Sequence, residues 1–533
     1  MSGDTTSLIK ALKADHPVRH QCHKAQKETS TTICNCHDKK NPPLACICHK
    51  ENILIRPAKY EETCFIFDTA RSQFGISFKQ ILKLKSLVTK VVYPFSSRYD
   101  FYRLNYNHRF NYFPLAIVLV SSIEDIINTI KFSCEHHLPF RARSGAHCYE
   151  PASLVNFGII IDLRNRNKIV KIDNQKQTVK IESGALVGPV VNELSSQNIT
   201  FPVGTCVTNG LAGLTLGGGI GFLVREYGLT CDNVVDMKVV LANGTVVHAN
   251  YNQNKDLFWA LRGAGGGNFG IVTDFTFKFN VIDWVTVFTL SFDFKDTKEV
   301  FNVWQNWAPN TITSLTTEMD IFHKYHPVIV TGQLLPGTNK EKDQKELFKL
   351  LKPLRNLGLH TELSIKTMTL TESAQYFCQG SYARPLFFYN RSDFNFKPLP
   401  EEAIDIIIHH MGLLQEHQSF HKTEIDALGG NFATLPSSAF PSRDAIHWFQ
   451  YTSLWDAQPE GPENIHWLNN YYEALRPFFP EDRKYVNALD YNSTRASALK
   501  SYYGPHLPNL VKIKENYDPT NVFNFEQSVF VPK

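Results

Sequence analysis

Residues 204–221 read Gly-Thr-Cys-Val-Thr-Asn-Gly-Leu-Ala-Gly-Leu-Thr-Leu-Gly-Gly-Gly-Ile-Gly, so seven glycines and one cysteine fall within eighteen positions. Glycine at this density serves backbone that takes positive φ or lies directly against a ligand. Bare peptide N–H groups also cradle phosphate oxygens. A flexible linker would be polar and Ser-rich, whereas Val207, three leucines and Ile220 interleave these glycines. A second run, Gly265-Gly266-Gly267-Asn268-Phe269-Gly270, satisfies G-x-G-x-x-G. That fingerprint marks a dinucleotide-binding turn only between a strand and the helix that follows it. Here the order is reversed, with a helix-like Asp256–Arg262 before and an alternating, strand-like Ile271–Phe279 after. The two loops together predict a nucleotide cofactor wrapped by loops, not laid on a helix N-terminus.

The elements around them alternate in type. Ser121 and Glu124 have capping-box spacing ahead of Ile123, Ile126, Ile127 and Ile130, one face of a helix. Gly158-Ile-Ile-Ile-Asp162 reads as a strand buried on both faces. Val234–Leu241 and Thr245–Ala249 flank Asn243-Gly244, which predicts a hairpin with a type I′ turn. Residues 284–480 change character, with helical patterns at Lys340–Leu351 and Glu401–Glu416 and a β-rich run at Ile446–Trp455. Ala496–Tyr503 is a further helix near the end of the chain.

At 533 residues the chain predicts two large domains. A net charge of +4 makes no case for nucleic acid or a membrane surface as partner. No apolar run approaches the roughly 18 residues that span a bilayer. Met1–Gln21 carries charges and no apolar core of a secretory signal, so a cytoplasmic location is expected. Cys22, Cys34, Cys36, Cys46 and Cys48 crowd the start of the chain beside His23, His37 and His49. Thiolates and imidazoles could hold a soft metal, but C-x-C-H is not the spacing of common structural zinc sites, and no metal site is expected.

Arg141-Ala-Arg-Ser-Gly-Ala-His-Cys-Tyr-Glu150 resembles the R-x-R-S-G-G-H motif of FAD-linked oxidases of the vanillyl-alcohol-oxidase type. The Gly204–Gly221 run is similar to the second motif of their berberine-bridge-enzyme-like branch. Arg225–Asn233, Asp256–Gly263, Tyr502-Tyr503-Gly504, Asp518–Phe523 and Gln527-Ser528 match further motifs of that branch, in order. The resemblance spans residues 93–533. It implies an α+β fold in which a two-part FAD-binding domain of the vanillyl-alcohol-oxidase type carries an inserted α+β substrate domain. The expected boundaries are a partly disordered extension over 1–90, an FAD-binding domain over 91–283, a substrate-binding domain over 284–480 and a return to the FAD domain over 481–533.

The resemblance also implies residue roles. His147 and Cys206 stand where relatives bond FAD at its 8α-methyl and C6 positions. Imidazole and thiolate are suitable nucleophiles, and two tethers raise the flavin's potential. Arg143, Ser144, Gly145, Ala146, Gly204, Gly210, Gly213, Gly217, Gly218, Gly219, Gly221, Asn233, Gly270, Ile271 and Asn524 are carried over as further cofactor-binding positions. Ala146 replaces a motif glycine, a tolerable change unless that residue takes positive φ. Asn209 stands where relatives carry an apolar residue near the flavin that influences access of O2, which leaves oxidase and dehydrogenase behaviour both open, and Leu214 stands where a histidine is often found.

The largest departure lies in Tyr485-Val486-Asn487-Ala488-Leu489-Asp490, which is similar to Y-x-N-Y-x-D except that Ala488 stands where relatives carry a tyrosine base. Asp426, in a D-x-x-G-G strand, and Tyr451 and Tyr485 are the candidates for the missing chemistry, with Gln450 beside Tyr451. The expected function is hydride transfer from an alcohol of a small molecule, a sugar, oligosaccharide or secondary metabolite, to covalent FAD, with O2 as acceptor. A dehydrogenase using another acceptor, or a flavin protein that has lost catalysis, are the alternatives.

Overall fold

The structure, a computed structural model, describes residues 57–378, 387–413, 420–435 and 437–532. The N-terminal Cys/His cluster lies outside them. Two sheets build the first half. β1 (Val91–Val92), β2 (Ala116–Leu119), β3 (Phe140–Arg143) and β4 (Ile159–Asp162) pair in the order β1-β2-β4-β3, with β2, β4 and β3 parallel. Every residue of β4 is buried, as its unbroken apolar run requires. β5 (Ile169–Asp173), β6 (Thr178–Glu182), β7 (Ile199–Thr200), β8 (Val234–Val240), β9 (Val246–Asn250), β10 (Ile271–Lys278) and β11 (Asn280–Val281) follow. Five of them form an antiparallel sheet in the order β5-β6-β10-β8-β9, and β7 pairs β11.

The insertion is one antiparallel sheet of β12 (Val285–Phe292), β13 (Leu315–Ile321), β14 (Val328–Leu334), β15 (His360–Met368), β16 (Phe387–Asn395), β17 (Phe420–Ala427) and β18 (His447–Trp455), in the order β15-β12-β14-β13-β17-β18-β16. Helices Thr297–Trp307, Lys340–Leu350, Glu401–Gly412 and Gly461–Leu475 bury one face of it around Trp304, Phe449, Tyr451 and Tyr471. Helices Arg495–Tyr503 and Leu507–Tyr517 then return the chain to the core of the five-stranded sheet. This is the expected α+β architecture.

Two local readings are corrected. The capping box sits one residue later than its spacing suggested. Ser122 Oγ accepts the Asp125 N–H at 3.1 Å, and the Asp125 carboxylate accepts the N–H groups of Ser121, Ser122 and Thr89. A buried carboxylate with four donors, counting the Thr89 hydroxyl, outbids Glu124, which stays in solvent. The β8–β9 hairpin is present, but only Gly244 (φ 82°) has positive φ, so the turn is not type I′. Leu241 accepts the Gly244 N–H and donates to Thr245, a turn closed by one left-handed glycine. Within the expected extension over 1–90, residues 57–87 pack against the first sheet. They form helices Pro57–Phe74, Phe78–Leu82 and Leu84–Leu87, and place Ile66, Phe67, Ile81 and Leu84 in the core that holds β2 and β4.

Arg225 couples the two halves. Fully buried, it donates from Nη1 to the carbonyls of Ala308 and Leu315 and from Nη2 to those of Pro309 and Thr311. Arg443 makes a second clamp, both Nη groups 2.6 Å from the Asp232 carboxylate. No helix among the described residues is long and apolar enough to cross a membrane.

Candidate active site

A cavity runs between the glycine loops and the face of the seven-stranded sheet opposite its helices. Its loop side is mostly backbone. Gly145 and Gly210 touch so closely that a Cβ on Gly210 would stand 2.3 Å from the Gly145 nitrogen. That contact joins the turn after β3 to the Gly204–Gly221 segment. Gly213 faces open space, with nothing within 4 Å of where its Cβ would be, and a Cβ on Gly266 would meet nothing nearer than 3.5 Å. Of the expected cofactor residues, Arg143, Ser144, Gly145, Ala146, His147, Gly204, Cys206, Gly210, Gly213, Gly270, Ile271 and Asn524 line this cavity.

Gly217, Gly218, Gly219, Gly221 and Asn233 do not. A Cβ on Gly217 would strike the Asn487 side chain at 2.1 Å, one on Gly219 Thr230 at 2.1 Å, and one on Gly221 the Val203 carbonyl at 2.0 Å. Gly218 and Gly219 also have φ of 128° and 90°. These glycines let chain pass chain. Asn233 staples its own loop by donating to the Tyr227 and Leu229 carbonyls. Arg143 lines the cavity, but its guanidinium is spent elsewhere, on Asp162, Asn105 and the Tyr102 carbonyl. Ala146 does take positive φ (58°), the condition under which the missing glycine matters.

His147 and Cys206 meet in the same wall. The His147 ring stacks on Tyr106 (3.9 Å, 15°), and its Nε2 lies 3.0 Å from Thr208 Oγ1 and 3.8 Å from Cys206 Sγ. Burial lowers the His147 pKa to about 4, so the ring is neutral and keeps a lone pair. Burial raises the Cys206 thiol, while the Thr208 hydroxyl at 3.1 Å and the Thr208 backbone pull it back. Thr208 escaped sequence reasoning, and its position two residues after Cys206 is the signal that was available. Arg141 was quoted in the motif but given no role. It is a lining residue whose buried Nε has no hydrogen-bond partner, a charged donor open to an anionic group. Open space over Gly213, this donor and the two nucleophiles fit a flavin dinucleotide.

The opposite wall is made of side chains from β17 and β18 with the loop after them. Alternation decides which. Trp448 and Gln450 face the cavity, and Phe449 and Tyr451 face the helices. Tyr451 is therefore not a catalytic base. It is wholly buried among Phe449, Tyr471 and Tyr472, and burial drives its pKa well above the normal range. Asp426 is not among the lining residues either. It sits one pair along the strand from Glu424, the only carboxylate among the lining residues, which sequence reasoning missed. The strand's period of two was the available signal, since Glu424 must share a face with Asp426.

Tyr485 lines the cavity as expected, in a different chemical state. Its hydroxyl oxygen accepts the Gly219 N–H at 2.8 Å and the Asn487 Nδ2–H at 3.0 Å. Burial nevertheless raises its pKa above that of free tyrosine, and with both lone pairs engaged its own proton is left to donate. Ala488 is buried in the apolar seam with Tyr485 and Trp448, whose rings meet edge to face at 5.1 Å.

Behind Glu424 lies a buried charge cluster. Antiparallel register sets Glu318 opposite Asp426 and Asp320 opposite Glu424. Lys422 Nζ reaches Glu424 at 2.7 Å, Asp320 at 2.8 Å and Glu318 at 3.7 Å. Burial and then the neighbouring Glu424 push Glu318 and Asp426 well above the usual carboxylate range. Asp320 rises to about 6, through burial opposed by Lys422.

Comparison with known proteins agrees with this geometry. The family model described as FAD binding domain matches residues 114–250, and that described as berberine and berberine like matches residues 484–530. The uncharacterized FAD-linked oxidoreductase YgaK of Bacillus subtilis is 37% identical over 443 residues, 81% of this chain and 94% of that protein. Cannabidiolic acid synthase-like 1 of Cannabis sativa is 30% identical over 78% of this chain and 84% of its own length. Among solved structures, BBE-like 28 from Arabidopsis thaliana superposes with a TM-score of 0.77 at 25% identity, covering 85% of this chain and all of that one.

Proposed function

The chain belongs to the berberine-bridge-enzyme-like family of FAD-linked oxidases, and from that membership we propose that it oxidises a hydroxyl-bearing carbon of a small polar molecule, with Glu424 as proton acceptor. It is an FAD-linked oxidoreductase acting on small molecules. The finer reading rests on one observation. A wall carrying His147 and Cys206 faces a wall carrying Glu424, Gln450 and Trp448 across a single cavity.

Bound FAD supplies the acceptor for the hydride that leaves the substrate carbon. The chain's residues do the rest. His147 and Cys206 anchor the cofactor covalently, the neutral imidazole and the thiol being the nucleophiles of this wall. Glu424, held by Lys422 at one oxygen, takes the hydroxyl proton as the C–H bond breaks, so the alcohol leaves as a carbonyl. Tyr485 donates its O–H into the cavity, and Gln450 offers an amide to a further hydroxyl. This polar wall supports a sugar or oligosaccharide over an apolar metabolite. O2 is the proposed electron acceptor.

Acid precipitation of the purified protein tests the anchoring. FAD should stay in the pellet for wild type, His147→Ala and Cys206→Ala and leave it only in the double variant; a yellow wild-type supernatant refutes covalent attachment. Anaerobic stopped flow with candidate sugars tests the base. Glu424→Gln should slow flavin reduction by about 10²–10⁴-fold with the flavin spectrum intact. An unchanged rate removes Glu424 from the mechanism. Slow reoxidation in air, with rapid reoxidation by a quinone or dye, would replace O2 by another acceptor.

A further inference from the structure

The carboxyl cluster behind Glu424 is more acidic than the flavin chemistry requires. Four carboxyl groups, Glu318, Asp320, Glu424 and Asp426, share one face of β13 and β17, and Lys422 is the one cation paired with them among the described residues. Burying so many like charges without counter-charge is untenable, since each ion loses its hydration and repels its neighbours. Lys422 is committed chiefly to Glu424 and Asp320, its two short contacts. Glu318 is 3.7 Å from it, and Asp426 lies beyond ion-pair distance from it.

Carboxylate oxygens of Glu318, Glu424 and Asp426 all lie within 4.8 Å of one another. Asp426 supplies a second, separate observation. It is only 5% exposed, yet its Oδ2 has no hydrogen-bond partner. Buried carboxylate oxygens are almost always satisfied, and one that is not asks for an absent partner. The three residues are also braced to keep their spacing. Two stand at alternate positions of β17 and the third is the register partner of Asp426 on β13, so the sheet's hydrogen bonds hold the oxygens together.

We propose that Glu318, Glu424 and Asp426 form a binding site for one hard divalent cation of the Ca2+, Mg2+ or Mn2+ class, set into the substrate-domain wall of the cavity. The chemistry selects that class. All three donors are carboxylate oxygens, with no imidazole or thiolate to favour zinc or copper. Glu424 itself lines the cavity, so water or substrate hydroxyls arriving there would complete the coordination of a bound cation. The proton-acceptor role of Glu424 is a separate matter, because metal uptake can be read without substrate.

The test uses the full-length flavoprotein stripped with EDTA and titrated with Mn2+, free ion being followed by electron paramagnetic resonance. One Mn2+ per chain should bind with a dissociation constant below about 1 mM, Ca2+ should compete, and the melting temperature should rise with either ion. The double variant Glu318→Gln/Asp426→Asn should weaken binding at least 10-fold while its flavin spectrum stays that of wild type. Lys422→Met, which removes the competing ammonium, should tighten binding about 3-fold or more. The proposal is overturned by no saturable uptake up to 1 mM Mn2+, by undiminished binding in the double variant, or by binding in Lys422→Met no tighter than in wild type. Should the double variant fail to fold, the Lys422→Met titration decides alone.

Discussion

The two walls of the cavity are built on opposite principles. The loop wall presents peptide groups and a pair of nucleophiles; a Cβ on Gly145, Gly210 or Gly270 would stand within 3 Å of a neighbouring segment, while Gly213 and Gly266 leave open space. The sheet wall presents charged and aromatic side chains, and the backbone of its strands is occupied by strand pairing. A backbone wall tolerates almost no added atom, whereas a side-chain wall can exchange one group for another of similar size and keep its shape. The first suits a cofactor held by its backbone-facing surface, and the second a substrate recognised by side chains.

The contrast can be broken most forcefully at Gly210. Its Cβ position collides with the backbone nitrogen of Gly145, which no rotamer change relieves. Gly210→Val should cost about 3 kcal/mol and lower flavin incorporation, read by flavin absorbance per chain and chemical denaturation. Glu424→Gln, on the other wall, should retain full flavin. Equal flavin loss in both would show that the walls are not independent.

A middle-sized effect separates the two faces of β18. His447 shares the helix-side face with Phe449 and Tyr451; it is 1% exposed and stacks on Trp304 at 5.2 Å. Burial lowers its pKa to about 3. The unfolded chain takes up a proton near pH 6.5, while the folded chain does not until about pH 3. Stability should therefore fall as pH drops from 6.5 towards 3, by on the order of 1 kcal/mol per pH unit from this residue. Denaturant melts of His447→Phe across that window should show a shallower loss. An identical slope would mean that this face admits a charge as readily as the cavity face.

The smallest effect is at Ala146, the one place where the loop wall lacks a glycine it could use. Its φ of 58° carries a left-handed strain of about 1–2 kcal/mol for an alanine. Ala146→Gly should relieve that strain, less the extra entropy glycine brings to the unfolded chain, for a net gain of up to about 1 kcal/mol. A loss of stability instead would show that the Ala146 methyl contributes packing that outweighs the strain.

How much of this could be read from the chain follows the same division. The loop wall was legible because its residues are contiguous. Arg141 to Glu150 and Gly204 to Gly221 each carry their geometry in local order, and His147 and Cys206 stood out inside them. Even there, sequence could not separate glycines that face the cavity, such as Gly213, from those that let Phe440 or Thr230 approach, such as Gly218 and Gly219. The C-terminal D-P-x-N-x-F motif matched by pattern, but its purpose is local. Asp518 accepts the Val522 and Phe523 N–H groups and pairs with buried Lys514, which fixes the turn that brings Phe525 into the cavity.

The sheet wall was legible only as strands. That Ile446–Trp455 is extended follows from its side chains, but which alternate set faces the cavity depends on where the helices pack, and that chose Gln450 over Tyr451. Asp426 attracted notice through its D-x-x-G-G pattern, while Glu424, two residues earlier and on the same face, reaches the cavity. The sequence by itself determined the fold, the flavin motifs and both nucleophiles, because each rests on spacing along one segment. Only tertiary structure decided which carboxylate reaches the cavity and which carboxyl groups cluster, because strand register, a property of two segments at once, brings Glu318 to Asp426 and Asp320 to Glu424.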